Sequence, residues 1–361
     1  MPPKMTPQNP QDVVASSPPA FSVQQAIDIA AEHYDLAISA TELVSERDQN
    51  FRLTSDDGRK FVLKIANSAE DPVVTDFQIR ALLHIQAKAD LNLDTPSVLE
   101  TLAGEYSFVL ESADQAHVAR IISFVEGLPL GDNAPRAVCA RNMGAYLARL
   151  GQALSDFSHP GADQSLLWDM KKASSLRDIL HHIGDPHVRG LATRALDDFE
   201  AHVLPVFDSL RWQVIHNDLN PGNVLWTESG GSEIAGVIDF GDMLRSPLIV
   251  DVAVAAAYQR ALTGNPLSLI AEFIAGYHSE TPLTRAEIDV LHDLIKARLM
   301  TSVSILSWRE SLRGSQDAYL LASAAGGPMA GWFLEKMTEI PRENAAKIYS
   351  EVCASVTALQ T

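Results

Sequence analysis

Val214-Ile215-His216-Asn217-Asp218-Leu219-Asn220-Pro221-Gly222-Asn223-Val224-Leu225, answered by Gly236-Val237-Ile238-Asp239-Phe240-Gly241-Asp242, decides how this chain is read. Each stretch sets polar side chains against a short apolar run of strand character. Phosphoryl transfer asks little covalent chemistry of a protein. It needs an aligned attacking oxygen and neutralised charge on the phosphates and their Mg²⁺. Asp218 is placed to accept a hydroxyl proton, and Asn223 and Asp239 to hold Mg²⁺, a hard cation that prefers oxygen. The competing structural reading makes His216 a turn cap and the two aspartates solvated loop carboxylates. It leaves unexplained why these residues follow the order the mechanism requires.

His-x-Asp with Asn five residues after the Asp is the catalytic-loop pattern of protein kinases, and Asp239-Phe240-Gly241 stands where their metal-binding Asp belongs. Two departures matter. Asn217 replaces the usual Arg, and no Ala-Pro-Glu follows Asp239. The loop instead resembles the aminoglycoside phosphotransferase and choline kinase superfamily, whose members phosphorylate small hydroxyl compounds. Gly236 to Met243 and Asp251 to Tyr258 look most like hydroxylysine kinase and its bacterial relatives. Gly276-Tyr277-His278 and Pro282-Leu283-Thr284 extend the match, which spans roughly residues 40–310. The resemblance implies an α+β, bilobal, protein-kinase-like fold with a small antiparallel-sheet N-lobe and a larger, mainly helical C-lobe. ATP or GTP with Mg²⁺ would sit between the lobes.

A chain of 361 residues exceeds the usual size of one core, and 46% hydrophobic content ensures that it folds. The expected division is a flexible tail over 1–20, an N-lobe over 21–126 and a C-lobe over 127–361. Prolines 2, 3, 7, 10, 18 and 19 without an apolar core read as a loose tail, not an export address. No apolar run approaches the roughly 20 residues of a membrane helix. Cys139 and Cys353 are too few for a disulfide framework and read as reduced thiols of a cytoplasmic protein. A net charge of −18 argues against nucleic acid as partner and favours a cationic small substrate.

Along the N-lobe, Val23 to Tyr34 has helical spacing with Ser22 as cap. The turn Ser45 to Phe51 lacks the glycines of a phosphate-covering loop. Ser45 and Asn50 either contact phosphate or close the turn. Residues 51–65 read as a hairpin around Ser55-Asp56-Asp57-Gly58. Lys64 lies on the strand face opposite Phe61, Leu63 and Ile65, at the position of the phosphate-binding lysine of kinases. On the next helix Gln78 aligns with the glutamate that orients that lysine, with Asp76 and Glu70 nearby. Strands are expected over Tyr106 to Glu111 and His117 to Val125. The resemblance makes Ser123 to Gly127 the purine-binding hinge, with Phe124 and Val125 offering backbone contacts.

The C-lobe should be helical from Arg136 to Leu154 and largely so to Phe207. His181, His182 and His187 read as solvated histidines, since no further ligand sits at metal spacing. Two strands joined through Ser229-Gly230-Gly231 should bring Asn223 and Asp239 together across sixteen residues of sequence. In related kinases the residue matching Asp251 accepts N–H bonds from the catalytic loop. Thr284-x-x-Glu287 is a capping box. On the helix it opens, Arg298, Ser302, Ile305 and Arg309 share a face. An arginine there either receives a substrate carboxylate or makes a structural salt bridge. Asp242 either binds a substrate ammonium or bonds back to the loop.

The expected activity is transfer of the γ-phosphoryl of ATP or GTP to the hydroxyl of a hydroxylated amine or amino acid, with 5-hydroxylysine the best guess. The alternatives are an aminoglycoside phosphotransferase, a choline, ethanolamine or homoserine kinase, and a nucleotide-binding pseudokinase regulator. Retention of Asp218, Asn223 and Asp239 together speaks against the last.

Overall fold

Alternating large apolar and polar residues over 49–65 place one face of two strands in a core and leave the other polar. The computed structural model describes residues 18–360 apart from 46, 113–114, 133, 135, 229, 318–319 and 321–325, and the side chains of 326–328 are likewise left aside. The tail expected over 1–20 thus lies almost wholly outside the described residues. So do Glu46 and Ser229 of two expected turns. The strands are β1 (Ile38–Leu43), β2 (Gln49–Ser55), β3 (Lys60–Ile65), β4 (Phe108–Ser112) and β5 (Gln115–Ser123). They form an antiparallel sheet in the order β1-β2-β3-β5-β4.

Phe51, Leu53, Phe61, Leu63, Ile65 and Ile121 turn to the core, where they meet Ala26, Ile29, Ala30 and Tyr34 of α1 (Val23–Tyr34). Ser22 and Gln25 close the capping box that starts this helix. Buried Gln49 exchanges two 2.8 Å bonds with the backbone of Phe21, tying the helix entry to β2. Helix α2 (Pro72–Gln86) begins with Asp71 capping the Val73 N–H and proline in the first turn, where a missing donor costs nothing. Residues 159–167 pack beside it. His159 bonds Asp76 at 3.0 Å and stacks on Phe77, and a Cβ on Gly161 would collide with the Val73 carbonyl.

That packing explains the division of the chain. One unit holds residues up to Ala87, Asp94–Val125 and His159–Leu167; the other holds Lys88–Leu93, Glu126–Ser158 and Trp168 onward. The second is mainly helical: α3 (Arg136–Leu154), α4 (Pro186–Asp198), α5 (Leu248–Ala256), α6 (Ser268–Glu280), α7 (Arg285–Arg313), α8 (Gly326–Thr338) and α9 (Arg342–Gln360). Between α3 and α4 the chain runs as a 3₁₀ segment over Met170–His182, and two short turns cover Phe199–Ser209. Strand β6 (Trp212–Ile215) pairs with β9 (Leu244–Pro247), and β7 (Val224–Trp226) with β8 (Ile234–Val237). Helices α3 and α6 cross at Gly144 and Gly276. A Cβ at Gly276 would overlap the Arg141 carbonyl, and one at Gly144 the Phe273 carbonyl.

Helix α7 is buried along most of its length and opens with the expected Thr284–Glu287 box. Arg211 anchors the same Glu287 at 2.6 Å. Deeper along α7, buried Asp293 receives Lys296 at 2.9 Å and Arg342 of α9 at 3.0 Å. The rings of His181 and His182 lie 4.0 Å apart, tilted by 37°, and His187 pairs with Glu335 at 2.9 Å. Among the described residues no three His, Cys, Asp or Glu side chains converge as a metal cluster, and no helix is long and apolar enough to cross a membrane. Both cysteines are buried and free.

Buried His292 on α7 sits beside the Met337 carbonyl at 3.1 Å. Burial, then the charge of Lys296, pulls its pKa from 6.5 down to about 4. The unfolded chain therefore binds the extra proton first. The contribution of a neutral His292 is complete above about pH 6.5 and lost as pH falls toward 4, on the order of 3 kcal/mol at most. His292→Gln should flatten this. Between pH 7 and 4.5 the wild type should lose about 2 kcal/mol more unfolding free energy than the variant, as read by denaturant titration. Parallel losses would refute the assignment.

Candidate active site

The catalytic loop leaves β6 at Ile215 and is gripped at once. Asp251, in the first turn of α5, accepts the His216 N–H at 3.0 Å and the Asn217 N–H at 2.7 Å. Burial raises the Asp251 pKa to about 6, against the pull of those two bonds, so it is ionised at neutral pH. Asn217 takes a left-handed backbone conformation, φ 64°, which asparagine tolerates better than most residues.

His216 is fully buried, and burial lowers its pKa to about 4, so its imidazole is neutral. Its Nδ1 accepts the Asp218 N–H at 3.3 Å, which leaves the proton on Nε2 to be donated to the Ile238 carbonyl, also at 3.3 Å. One ring thus fastens the loop to the end of β8. The Phe240 ring meets it edge-on at 4.8 Å.

Asp218 follows, one-fifth exposed. Its Oδ2 accepts from Asn223 Nδ2 at 2.8 Å and Asn220 Nδ2 at 3.0 Å. Burial, reinforced by the charge of Asp242, pushes its pKa well above the ordinary carboxylate range, with Arg298 opposing. The Arg298 Nη2 lies 3.6 Å from Asp218 Oδ1. Arg298 is itself buried, with its guanidinium 4.9 Å from the Trp168 ring and interacting with Tyr258.

The β7–β8 ladder brings the second stretch alongside. Val224 pairs with Val237, and the Ile238 N–H donates to the Asn223 carbonyl at 2.9 Å, so Asn223 and Asp239 leave neighbouring strand ends. Asp239 is exposed, has φ 63°, and turns the chain by accepting the Gly241 N–H at 3.3 Å. With its amide nitrogen spent on Asp218, Asn223 presents Oδ1 as its oxygen donor. An Asn oxygen and an Asp carboxylate form a hard donor pair suited to a divalent cation such as Mg²⁺. Asp242 is half-buried and close enough to Asp218 to raise its pKa.

The nucleotide candidates lie in the other unit. Lys64 is half-buried on the polar face of β3, paired across strands with Asn50 on β2 and Arg120 on β5. The buried Arg120 donates through Nη2 to the Gln78 Oε1. Asp76 is engaged by His159 and, at 3.3 Å, by Arg80. Glu70 accepts the Thr75 hydroxyl at 3.0 Å, and burial followed by the charge of Asp48 raises its pKa to about 7. Ser45 is half-buried between β1 and β2. The Phe124 N–H donates to the Lys60 carbonyl at 3.1 Å, and the chain passes between units after Val125.

Four residues at these sites escaped the sequence reading: Arg120, Trp168, Asn220 and Tyr258. Asn220 carried a signal, two positions from Asp218 in a polar loop. The other three are brought in by tertiary packing. The two arginines singled out on α7 divide. Arg298 goes to Asp218, whereas Arg309 makes a buried structural pair with Asp317 at 2.9 Å.

Comparison with known proteins gives the family and the fold. Residues 39–291 match the family described as phosphotransferase enzyme family, and the chain belongs to it. Hydroxylysine kinase of Mus musculus is 25% identical over 94% of this chain and 96% of its own length. Two solved structures share the fold. An amicoumacin kinase in complex with AMP-PNP, Ca²⁺ and Ami has a TM-score of 0.66 at 16% identity, covering 89% of this chain and 95% of its own. A microcompartment-associated aminopropanol kinase has a TM-score of 0.65 at 17% identity, covering 93% and 98%. The fold is therefore kinase-like, a small antiparallel-sheet unit with a larger helical one, and the protein is a phosphotransferase acting on a hydroxyl group.

Asp251→Asn replaces one of the two oxygens that hold the loop with an amide that faces a backbone N–H. Turnover should fall about 10²-fold through misplacement of Asp218, with KM for nucleotide changing far less. Undiminished turnover would show that the loop holds its shape without this carboxylate.

Proposed function

We propose that this member of the phosphotransferase enzyme family transfers the γ-phosphoryl of ATP or GTP to the hydroxyl of a hydroxylated amine or amino acid, with 5-hydroxylysine as the acceptor of first choice. The observation that carries the reading is the amide of Asn223 bonded to Asp218 while the β7–β8 ladder sets Asp239 beside it. The extent of the likeness to hydroxylysine kinase supports the choice of acceptor.

In this reading Asp218 accepts the hydroxyl proton and aligns its oxygen. Asn220 and Asn223 hold one carboxylate oxygen, and the other, 3.6 Å from Arg298, faces the acceptor in this reading. Asn223 Oδ1 and the Asp239 carboxylate would hold Mg²⁺, which when bound offsets charge on the transferring phosphates. Lys64 contacts the α- and β-phosphates, Ser45 and Asn50 border them, and the backbone of Phe124 and Val125 meets the base. Asp242 attracts the acceptor's ammonium, and Arg298 balances the acidic cluster around the base. In the hydroxylysine kinase pattern, as here, Gln stands where protein kinases carry the lysine-orienting Glu. Gln78 instead bonds Arg120, which stands opposite Lys64, and this supports a second cation beside Lys64 facing the phosphates.

A panel of hydroxylated amines and amino acids with ATP and GTP tests the activity. Acceptor-dependent release of nucleoside diphosphate is expected, greatest with 5-hydroxylysine. Hydrolysis that no acceptor stimulates would count against it. Asp218→Asn should lower kcat by roughly 10²- to 10⁴-fold with nucleotide binding retained. Asp239→Ala should remove the Mg²⁺ dependence of nucleotide binding, and an unchanged Mg²⁺ titration would withdraw Asp239 as a ligand.

A further inference from the structure

The second unit contains a cavity of about 490 Å³ that none of the proposed base, metal or nucleotide residues lines. That volume lies within the usual range for small-molecule sites. Pro221 and Val224 of the catalytic loop form part of its wall, with Cys139 and Met143 of α3 and the segment Tyr258–Thr263 that follows α5. Its charge runs against that of the protein. The chain holds 46 acidic and 28 basic residues, yet among the described residues the lining includes Arg136 and Arg260 and no acid.

Arg260 is the inner of the two arginines. Its Nε donates to the Ala257 carbonyl at 3.0 Å, and its guanidinium lies 5.3 Å from the Tyr258 ring. Among the described residues Tyr258 is the one ionisable neighbour that acts on it, and burial lowers its pKa. A desolvated cation held by neutral groups is costly unless something else supplies the anion. Arg136 is exposed and sits 4.0 Å from Asp132, which leaves it a rim charge. Tyr258 also reaches Arg298, whose Nη2 is 3.6 Å from Asp218, so the cavity and the proposed base are linked through one side chain. Leu130, Met143 and Leu269 supply an aliphatic wall.

We propose that this cavity seats the acid end of the acceptor, with Arg260 taking its carboxylate while the hydroxyl lies at Asp218. The inference rests on the kinase reading above and narrows it to hydroxylated amino acids over hydroxylated amines. Arginine suits the task, since its planar fork matches a carboxylate. A polycationic acceptor such as an aminoglycoside would find the opposite of what it needs here.

The test uses matched acceptors: 5-hydroxylysine and homoserine, each against its decarboxylated analogue. The wild type should favour the acids by about 100-fold in kcat/KM, the scale of one charged hydrogen-bonded contact. In Arg260→Met the ratio should collapse toward one, mainly through KM for the acid, and Arg260→Lys should keep part of it. Equal use of acid and amine by the wild type, or an intact ratio in Arg260→Met, overturns the carboxylate seat and leaves the kinase reading standing. Silence from all four acceptors overturns both. A measurement on the wild type alone covers poor folding of the variants. Lysine should compete with 5-hydroxylysine about 100-fold better than cadaverine, its decarboxylated analogue, and equal inhibition would refute the proposal.

Discussion

The catalytic loop depends on one buried carboxylate. Asp251 spends its charge on two consecutive peptide N–H groups, at 2.7 and 3.0 Å, and so dictates the backbone of His216 and Asn217. Removing a carboxylate from water is expensive, and charge-assisted bonds to fixed donors are what offset it. That constraint fixes the direction in which Asp218 leaves the loop. The neutral ring of His216 passes it on to the end of β8, two residues from which Asp239 turns the chain. Base and metal candidates are therefore held by a shared framework of backbone bonds.

A second theme is how this strongly acidic chain places its arginines. Arg298 lies over Trp168, Arg120 bonds the amide of Gln78, and Arg260 lies over Tyr258. Each has a neutral group against it, and Arg298 also faces the Asp218 carboxylate at 3.6 Å. The delocalised, weakly hydrated guanidinium tolerates such settings better than an ammonium would. Elsewhere the pattern is ordinary ion pairing, as at Arg211 with Glu287 and Arg309 with Asp317.

Local signals in the sequence carry through to the structure. Ser22 and Gln25, and Thr284 and Glu287, form capping boxes because a box needs only residues three apart. The alternation of Phe61, Leu63 and Ile65 with Lys64 placed that lysine on the polar face because a strand sends neighbours to opposite sides. Boundaries shifted where the decisive contact was distant. The expected strand from Tyr106 begins at Phe108, where pairing with Ala119 starts. Residues 159–167 belong with the sheet unit because Gly161 lets the chain approach α2 closely.

By itself the sequence determined where Asp218, Asn223 and Asp239 stand between apolar strands, a local pattern, and the resemblance that pattern carries gave the class of fold. The sequence also determined the helix starts and the polar face of β3. Tertiary structure alone decided that Arg120 stands opposite Lys64, that Arg298 rather than Arg309 meets Asp218, and that a cavity with no acid among its described lining residues adjoins the loop. Those outcomes depend on which strands pair and which helix faces meet. They are set by packing between segments far apart in the chain, and no local spacing records it.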